Sequence, residues 1–262
     1  MAPISWGVTA TAGWGFQFSA GRVLEEARRL GVWAFEAGPE GFIPVQPGLR
    51  IVAGSSPGFL HRNQLPGADR QARQLESAGA ELLVVSPGEE AFDARGWASF
   101  FDALGALDAI CRRHRLRLAV EPRFDSAIDS QARLEQFLVG CHHALCIDTG
   151  ELMLCGIDPI EVVDFDPARI AHVHLKDLEA GLAGAVRQRL VSRWEATFKG
   201  LIRPLGEGDA EISGLMAALE RHGYPGWLVL EQDVVLAVEP PPGEGPYQGL
   251  RRSLEFLGLP PP

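Results

Sequence analysis

A single (β/α)8 barrel of the α/β class is the fold this sequence predicts, and three observations predict it. Eight short apolar runs recur along the chain, helical patterns fill most gaps between them, and no linker or internal repeat divides the 262 residues. Strand–helix alternation repeated about eight times in ~250 residues is the barrel pattern. At ~100–200 residues per domain the length permits one large domain or two small ones; with no boundary visible, 1–262 read as one. The competing arrangement, an open doubly wound sheet, carries a Gly-rich turn after its first strand. Here Gly13-Trp14-Gly15 lacks the following glycine and leads into no immediate helix.

The runs fall at 3–7, 32–38, 49–55, 81–86, 116–122, 143–150, 170–177 and 227–233. They are nearly continuous and rich in Val, Leu and Ile, as parallel strands buried on both faces are. Between them, Ser19 is placed to cap a helix that closes at Gly31, and a second closes at Gly79. Further helices are expected over 97–114, 130–139, 210–222 and 247–257; the Ser or Asp starts and Gly stops follow capping chemistry. Residues 178–204 exceed a simple link and read as a loop with a helix over the barrel mouth. The turn 206–209 (GEGD) holds two acids, so it is no phosphate cradle; it is expected to end in a helix N-cap at Asp209. Residues 240–242 read as a loop and 260–262 as a tail.

Composition narrows the function. Hydrophobic residues are 46% and charged residues 22%, as in soluble globular proteins. A net charge of −10 repels a phosphate backbone, which argues against nucleic acid as a partner. No apolar run reaches the ~18–20 residues of a membrane span, and the N-terminal stretch has neither the charge nor the apolar core of a signal peptide. A cytoplasmic protein without membrane contact is expected, and a homo-oligomer is compatible with the sequence. Cys111, Cys141, Cys146 and Cys155 show no C-x-x-C spacing and read mainly as small core residues. Ser5, Ser55 and the cysteines have no base at motif spacing, so a nucleophilic triad finds no support.

A barrel of this kind builds its site at the C-terminal strand ends. The eight runs end in Trp6, Glu36, Ser55, Ser86, Glu121, Asp148, His174 and Glu231. Singly, each ionisable residue reads as a salt-bridged or solvated strand end. Together, four successive strands ending in Glu, Asp, His and Glu favour a metal, because strands ~4.8 Å apart let the four heads converge. Three carboxylates beside one imidazole repel unless a cation sits among them. The oxygen-rich set suits one divalent ion, Mn²⁺, Mg²⁺, Co²⁺ or Fe²⁺, with Zn²⁺ admissible.

The segments CIDTGELMLCGIDP, RIAHVHLKD, PLGEGDAEISG and GYPGWLVLEQD resemble the sugar phosphate isomerase/epimerase superfamily, the xylose-isomerase-like barrels. PISWG, AGPEGFIP and Gly-Tyr-Pro-Gly-Trp resemble more narrowly its inosose dehydratase branch. The resemblance implies one divalent metal held by Glu121, Asp148, His174 and Glu231, with Glu121 and Glu231 moving protons at a substrate carbon. Two departures stand out. Glu151 takes the place of a His that often follows DTG, and Glu121-Pro122-Arg123 replaces an H-P-H-type strand end, which points from dehydratases towards epimerases. Arg123 reads as an anion ligand or as an ion pair with Asp125, Glu151 or another acid.

Lys176 reads as a holder of a substrate oxygen or as solvent-facing. His172, one layer deeper than His174, reads as a hydrogen-bonded core histidine. Glu36, His61 and Trp6 are candidate substrate contacts, each with a surface or core alternative, and Trp14 is a candidate ring-stacking wall. The expected reaction is proton removal next to a carbonyl of a keto sugar or cyclitol through a metal-stabilised enediolate. Its outcome is epimerisation or isomerisation; the alternatives are inosose dehydratase-type elimination, apurinic-site endonuclease chemistry, and non-catalytic sugar binding.

Overall fold

The computed structural model describes residues 1–59, 61–88 and 92–260; two residues of the expected tail, 261 and 262, lie outside them. Among the described residues, seven parallel strands form one sheet. They are β1 (Ala34–Glu36), β2 (Arg50–Phe59), β3 (Leu82–Pro87), β4 (Arg117–Val120), β5 (Ala144–Asp148), β6 (Ile170–Leu175) and, last in the order, β9 (Leu228–Leu230). Each corresponds to one of the apolar runs. A separate antiparallel pair, β7 (Asp177–Leu178) and β8 (Ile202–Arg203), sits at the mouth.

The run at 3–7 is the exception. It is a 3₁₀ turn, Pro3–Trp6, closed by Gly7 in the left-handed region (φ 76°). Pro3 has no N–H to give a ladder, and its fixed φ suits a first helical position. The strand's closing task falls to the two residues before it. Glu36 donates its N–H to Met1 O at 3.0 Å, and Ala2 donates to Leu230 O at 3.4 Å. Met1–Ala2 therefore bridges β1 and β9 and closes the cylinder.

Helices α1 (Ala20–Arg29), α2 (Leu65–Ser77), α3 (Ala94–Arg113), α4 (Gln131–Gly140), α5 (Thr149–Cys155), α6 (Pro159–Phe165), α9 (Ile212–Arg221) and α10 (Pro246–Phe256) surround the sheet. Ser19 caps α1 as expected, accepting from Arg22 N. The segment 178–204 contains two helices, α7 (Ala180–Arg187) and α8 (Arg193–Phe198), where one was expected. No described helix is long and apolar enough to cross a membrane.

Strand parity divides the core. Leu83, Val85, Leu118, Val120, Leu145, Ile147 and Val173 face outward and pack with helix residues such as Leu75, Leu104, Phe137 and Leu215. Val52, Leu82, Val84, Ala119, Cys146 and Val229 form the inner cluster. Continuing that inner parity towards the C-terminal ends reaches Glu36, Ser86, Glu121, Asp148, His174 and Glu231. Period-2 alternation thus sets apolar residues below and ionisable ones above on the same inner face.

A charged clamp replaces the N-cap expected at Asp209. Asp177 is fully buried and accepts from the backbone N–H groups of Gly206 (2.8 Å), Gly208 (3.1 Å) and Ala210 (2.9 Å). The turn is an anion cradle after all, with a carboxylate of the chain itself as the anion. A Cβ on Gly208 would lie 2.3 Å from Asp177 Oδ1, so the approach requires glycine. Asp209 instead accepts from Ala180 N at the start of α7 (2.7 Å), and Glu211 takes the N-cap position of α9.

Candidate active site at the barrel mouth

His174 lies at the centre of the ionisable layer. Its Nδ1 is 3.0 Å from Glu121 Oε1, 3.6 Å from Asp148 Oδ2 and 3.9 Å from Glu231 Oε1. Its Nε2 is 3.0 Å from Glu36 Oε1, which also lies 2.8 Å from His172 Nε2. All six residues are less than a tenth exposed. The four residues implied as metal ligands are thus brought together at one ring nitrogen. His172 is the hydrogen-bonded core histidine expected.

Each carboxylate is held by its element. Asp148 ends β5 and caps α5, accepting from Glu151 N at 2.9 Å, which leaves Oδ2 for the cavity. Glu121 follows β4; Ser86 on β3 donates to its Oε2 at 2.8 Å. Glu231 follows β9, its N–H bonded to Leu175 O. Lys176 is 4% exposed rather than solvent-facing. Its Nζ is 3.0 Å from Asp148, 3.0 Å from Glu231 and 3.3 Å from Asp233. Thr149 and Gly150 make room for this lysine: Thr149 Oγ1 accepts from Lys176 N (2.8 Å), and a Cβ on Gly150 would lie 2.8 Å from Lys176 Cδ.

Electrostatics follow from crowding. Burial opposes charge on every member, and the neighbours then decide. Burial works against an ionised Glu36, yet His174 and His172 hold its carboxyl far below the usual range. Asp148 is likewise held low against burial by Lys176 and His174. Burial pulls Lys176 down, but Asp148, Asp233 and Glu231 outweigh it and keep the ammonium charged. Burial also disfavours charge on His174, and Cys146, Glu231 and Glu36 around it raise its pKa nonetheless. Glu231 goes the other way: burial, reinforced by Asp233 and Asp148, pushes it up to about 7.

Above this layer lies a second ring of charge. Glu151, 1% exposed, is 2.5 Å from Arg193 Nη2 and 3.4 Å from Arg123 Nη2. Arg193 also reaches Asp233 (3.4 Å), and Arg123 lies 3.9 Å from Glu121. The two departures from the family pattern, Arg123 and Glu151, are therefore contact partners; Asp125 pairs with Arg189 instead. Arg193 comes from α8, so the covering segment is latched to the barrel by charge.

The residues fit a divalent cation. Six buried carboxylates (Glu36, Glu121, Asp148, Glu151, Glu231, Asp233) meet four cationic groups (Lys176, Arg123, Arg193 and the His174 ring, whose pKa its acidic neighbours raise), and uncompensated buried charge costs several kcal/mol per ion. Oxygens 3.0–3.9 Å from His174 Nδ1 also match donors sharing one ion at ~2.0–2.2 Å bonds. Three mutually close donor sets share His174: Asp148–His174–Glu231, Glu121–Cys146–His174 and Glu36–His172–His174.

One expected contact is core instead. Trp6 is fully buried and donates its indole N–H to Glu26 at 2.9 Å, so it is a core residue with no face for a substrate. His61 is exposed at the start of the short 3₁₀ turn Arg62–Gln64, its backbone N–H bonded to Gln64 Oε1. Trp14 sits at the covering segment, donating to Val234 O and accepting from Trp194. Sequence reasoning passed over Asp233 and Arg193. Asp233 shares the parity of Glu231 and was legible from it; Arg193 carried no such signal.

Known proteins bear on this geometry. The chain is 25% identical over 203 residues to inosose dehydratase of Bacillus thuringiensis (strain Al Hakam), covering 70% of this chain and 66% of that one. It thus spans just under two thirds of that relative's length. Against inosose dehydratase of Geobacillus kaustophilus (strain HTA426) identity is 24% over 291 residues, covering 98% and 92%. In fold it is similar to the probable 3-DHS dehydratase AsbF of Bacillus anthracis, with a TM-score of 0.76, 12% identity and coverage of 98% and 97%. It is similar also to the IOLI protein with a binding zinc atom, with a TM-score of 0.71, 13% identity and coverage of 98% and 95%. Residues 16–257 match the family model described as xylose isomerase-like TIM barrel. The chain belongs to the xylose isomerase-like TIM barrel family.

Proposed function

We propose that this chain is a divalent-metal-dependent enzyme that moves a proton next to the carbonyl of a keto sugar or cyclitol, with isomerisation or epimerisation as the outcome. One observation carries the reading: Glu121, Asp148 and Glu231 converge within 3.0–3.9 Å of His174 Nδ1 at the barrel mouth. These four residues would hold the ion, Mn²⁺, Mg²⁺, Co²⁺ or Fe²⁺, or Zn²⁺ as named for the IOLI protein. A bound divalent ion supplies positive charge to a substrate oxygen that turns negative as the carbon loses its proton.

The chain's own groups do the rest. Glu231, raised to about 7, suits proton exchange near neutral pH. Glu121 approaches from the other side of the β5–β6 pair, with one oxygen fixed by Ser86. A proton taken by one Glu and returned by the other inverts the carbon; return to the neighbouring carbon isomerises. Lys176 stays charged and is placed to hold a substrate oxygen. Arg123 and Glu151 stand at the rim as candidate substrate contacts.

Both curated relatives are named inosose dehydratases, which supports elimination of water as the second reading. One experiment separates the two. The Mn²⁺-loaded protein is incubated in D₂O with a panel of ketoses and inososes and followed by proton NMR and ultraviolet absorbance. Deuterium entering a substrate or its epimer without an enone band supports the first reading. An enone band with water loss supports the second. Neither signal with any panel member overturns both in favour of a non-catalytic sugar binder.

A further inference from the structure

We infer that Glu36 is a positioning residue that selects which nitrogen of His174 faces the metal. The inference rests on the metal site proposed above. The imidazole of His174 spends its two nitrogens in opposite directions: Nδ1 towards Glu121, Asp148 and Glu231, Nε2 towards Glu36 Oε1 at 3.0 Å. With an ion on one nitrogen the imidazole is neutral and keeps one proton, and an ionised carboxylate can only accept. Glu36 therefore holds that proton on Nε2 and leaves the Nδ1 lone pair for the ion, the arrangement by which outer carboxylates orient ligating histidines.

Glu36 is itself fixed. Its backbone N–H is bonded to Met1 O, and its Oε1 accepts a second hydrogen bond, from His172 at 2.8 Å. The two imidazoles stand nearly perpendicular, at 84°, so both reach the same oxygen. At 3% exposure Glu36 has little surface for a substrate, and its Oε1 is already engaged by two rings. This is a role below the metal rather than beside the substrate.

The test measures Mn²⁺ binding by calorimetry for wild type, Glu36→Gln and Glu36→Leu, with circular dichroism to confirm folding. Imidazole ¹⁵N NMR of the Zn²⁺-loaded protein is recorded alongside. Glu36→Leu is expected to bind Mn²⁺ about 10–100-fold more weakly, with Glu36→Gln, which keeps an acceptor oxygen, in between. Wild-type His174 is expected to be protonated at Nε2 and ligated through Nδ1. Unchanged Mn²⁺ affinity in a folded Glu36→Leu with a raised KM would make Glu36 a substrate contact and overturn the inference. If Glu36→Leu does not fold, the Gln variant and the wild-type tautomer decide, and zinc on Nε2 overturns it. A wild type that binds no Mn²⁺ overturns the metal reading itself, an outcome distinct from a failure of Glu36 alone.

Discussion

Two clusters of the same residue types differ in role, one on the outside of the barrel and one within its mouth. Outside, between α2 and α3, His114 lies 2.8 Å from Glu76 and 3.3 Å from Asp69. Those two carboxylates are ringed by Arg73, Arg113 and Arg115, whose side chains are 69%, 63% and 83% exposed. Arginines match or exceed the acids, and water screens them all, so each pair contributes little. Inside, His174 meets four carboxylates at less than a tenth exposure, and the acids outnumber the cations six to four. The contrast teaches that a count of ion pairs marks nothing. A buried imbalance of charge is what calls for a cation.

Removing the inner imbalance should cost function most. Glu231→Gln is expected to lower turnover about 10²–10⁴-fold while leaving the fold intact, as steady-state kinetics and circular dichroism would record. Glu151→Ala strips the shared partner from Arg123 and Arg193. It is expected to raise KM about tenfold, near 1.4 kcal/mol, through a loosened α8, with a smaller change in kcat.

Metal should act on stability at the inner cluster alone. At 100 times its dissociation constant Mn²⁺ stabilises by ~2.7 kcal/mol, a rise of several degrees in melting temperature for a chain of this size. That rise should vanish in Asp148→Asn and persist in Arg113→Ala.

The inner cluster should also give stability a pH dependence. Glu231 ionises at about 7 in the fold against an ordinary 4.5, because burial disfavours its charge. An acid raised on folding contributes stability that is complete below the unfolded value and lost as pH rises through the folded one. In chelator, wild type should therefore lose melting temperature relative to Glu231→Gln between pH 5 and pH 8. A constant difference would contradict the assignment. The smallest effect falls outside: Arg113→Ala should leave turnover and Mn²⁺ affinity within twofold of wild type.

Much of this was legible before any coordinates, for a physical reason. Parallel strands alternate with period 2, so an apolar run ending in an acid reads directly as an inner wall with a ligand at its top. Glu121, Asp148, His174 and Glu231 were singled out as candidates that way, and seven of the eight runs are strands of the sheet. The run at 3–7 misled because PISW is apolar enough for a strand, while Pro3 and Gly7 suit a 3₁₀ turn. Trp6 fell with it, since a side chain on a turn follows no strand parity. Arg193 was out of reach because its place depends on how α7 and α8 fold back over the mouth, a long-range packing outcome with no local period. The Asp177 clamp was hidden similarly: GEGD shows two acids of its own, and the anion it binds lies 29 residues earlier.

The most direct measurement is the anomalous difference map of a crystal grown with Mn²⁺. The account predicts one strong peak between His174 Nδ1 and the carboxylates of Glu121, Asp148 and Glu231. A map with no peak there, or with the ion on the Glu36 and His172 side of the ring, would contradict it.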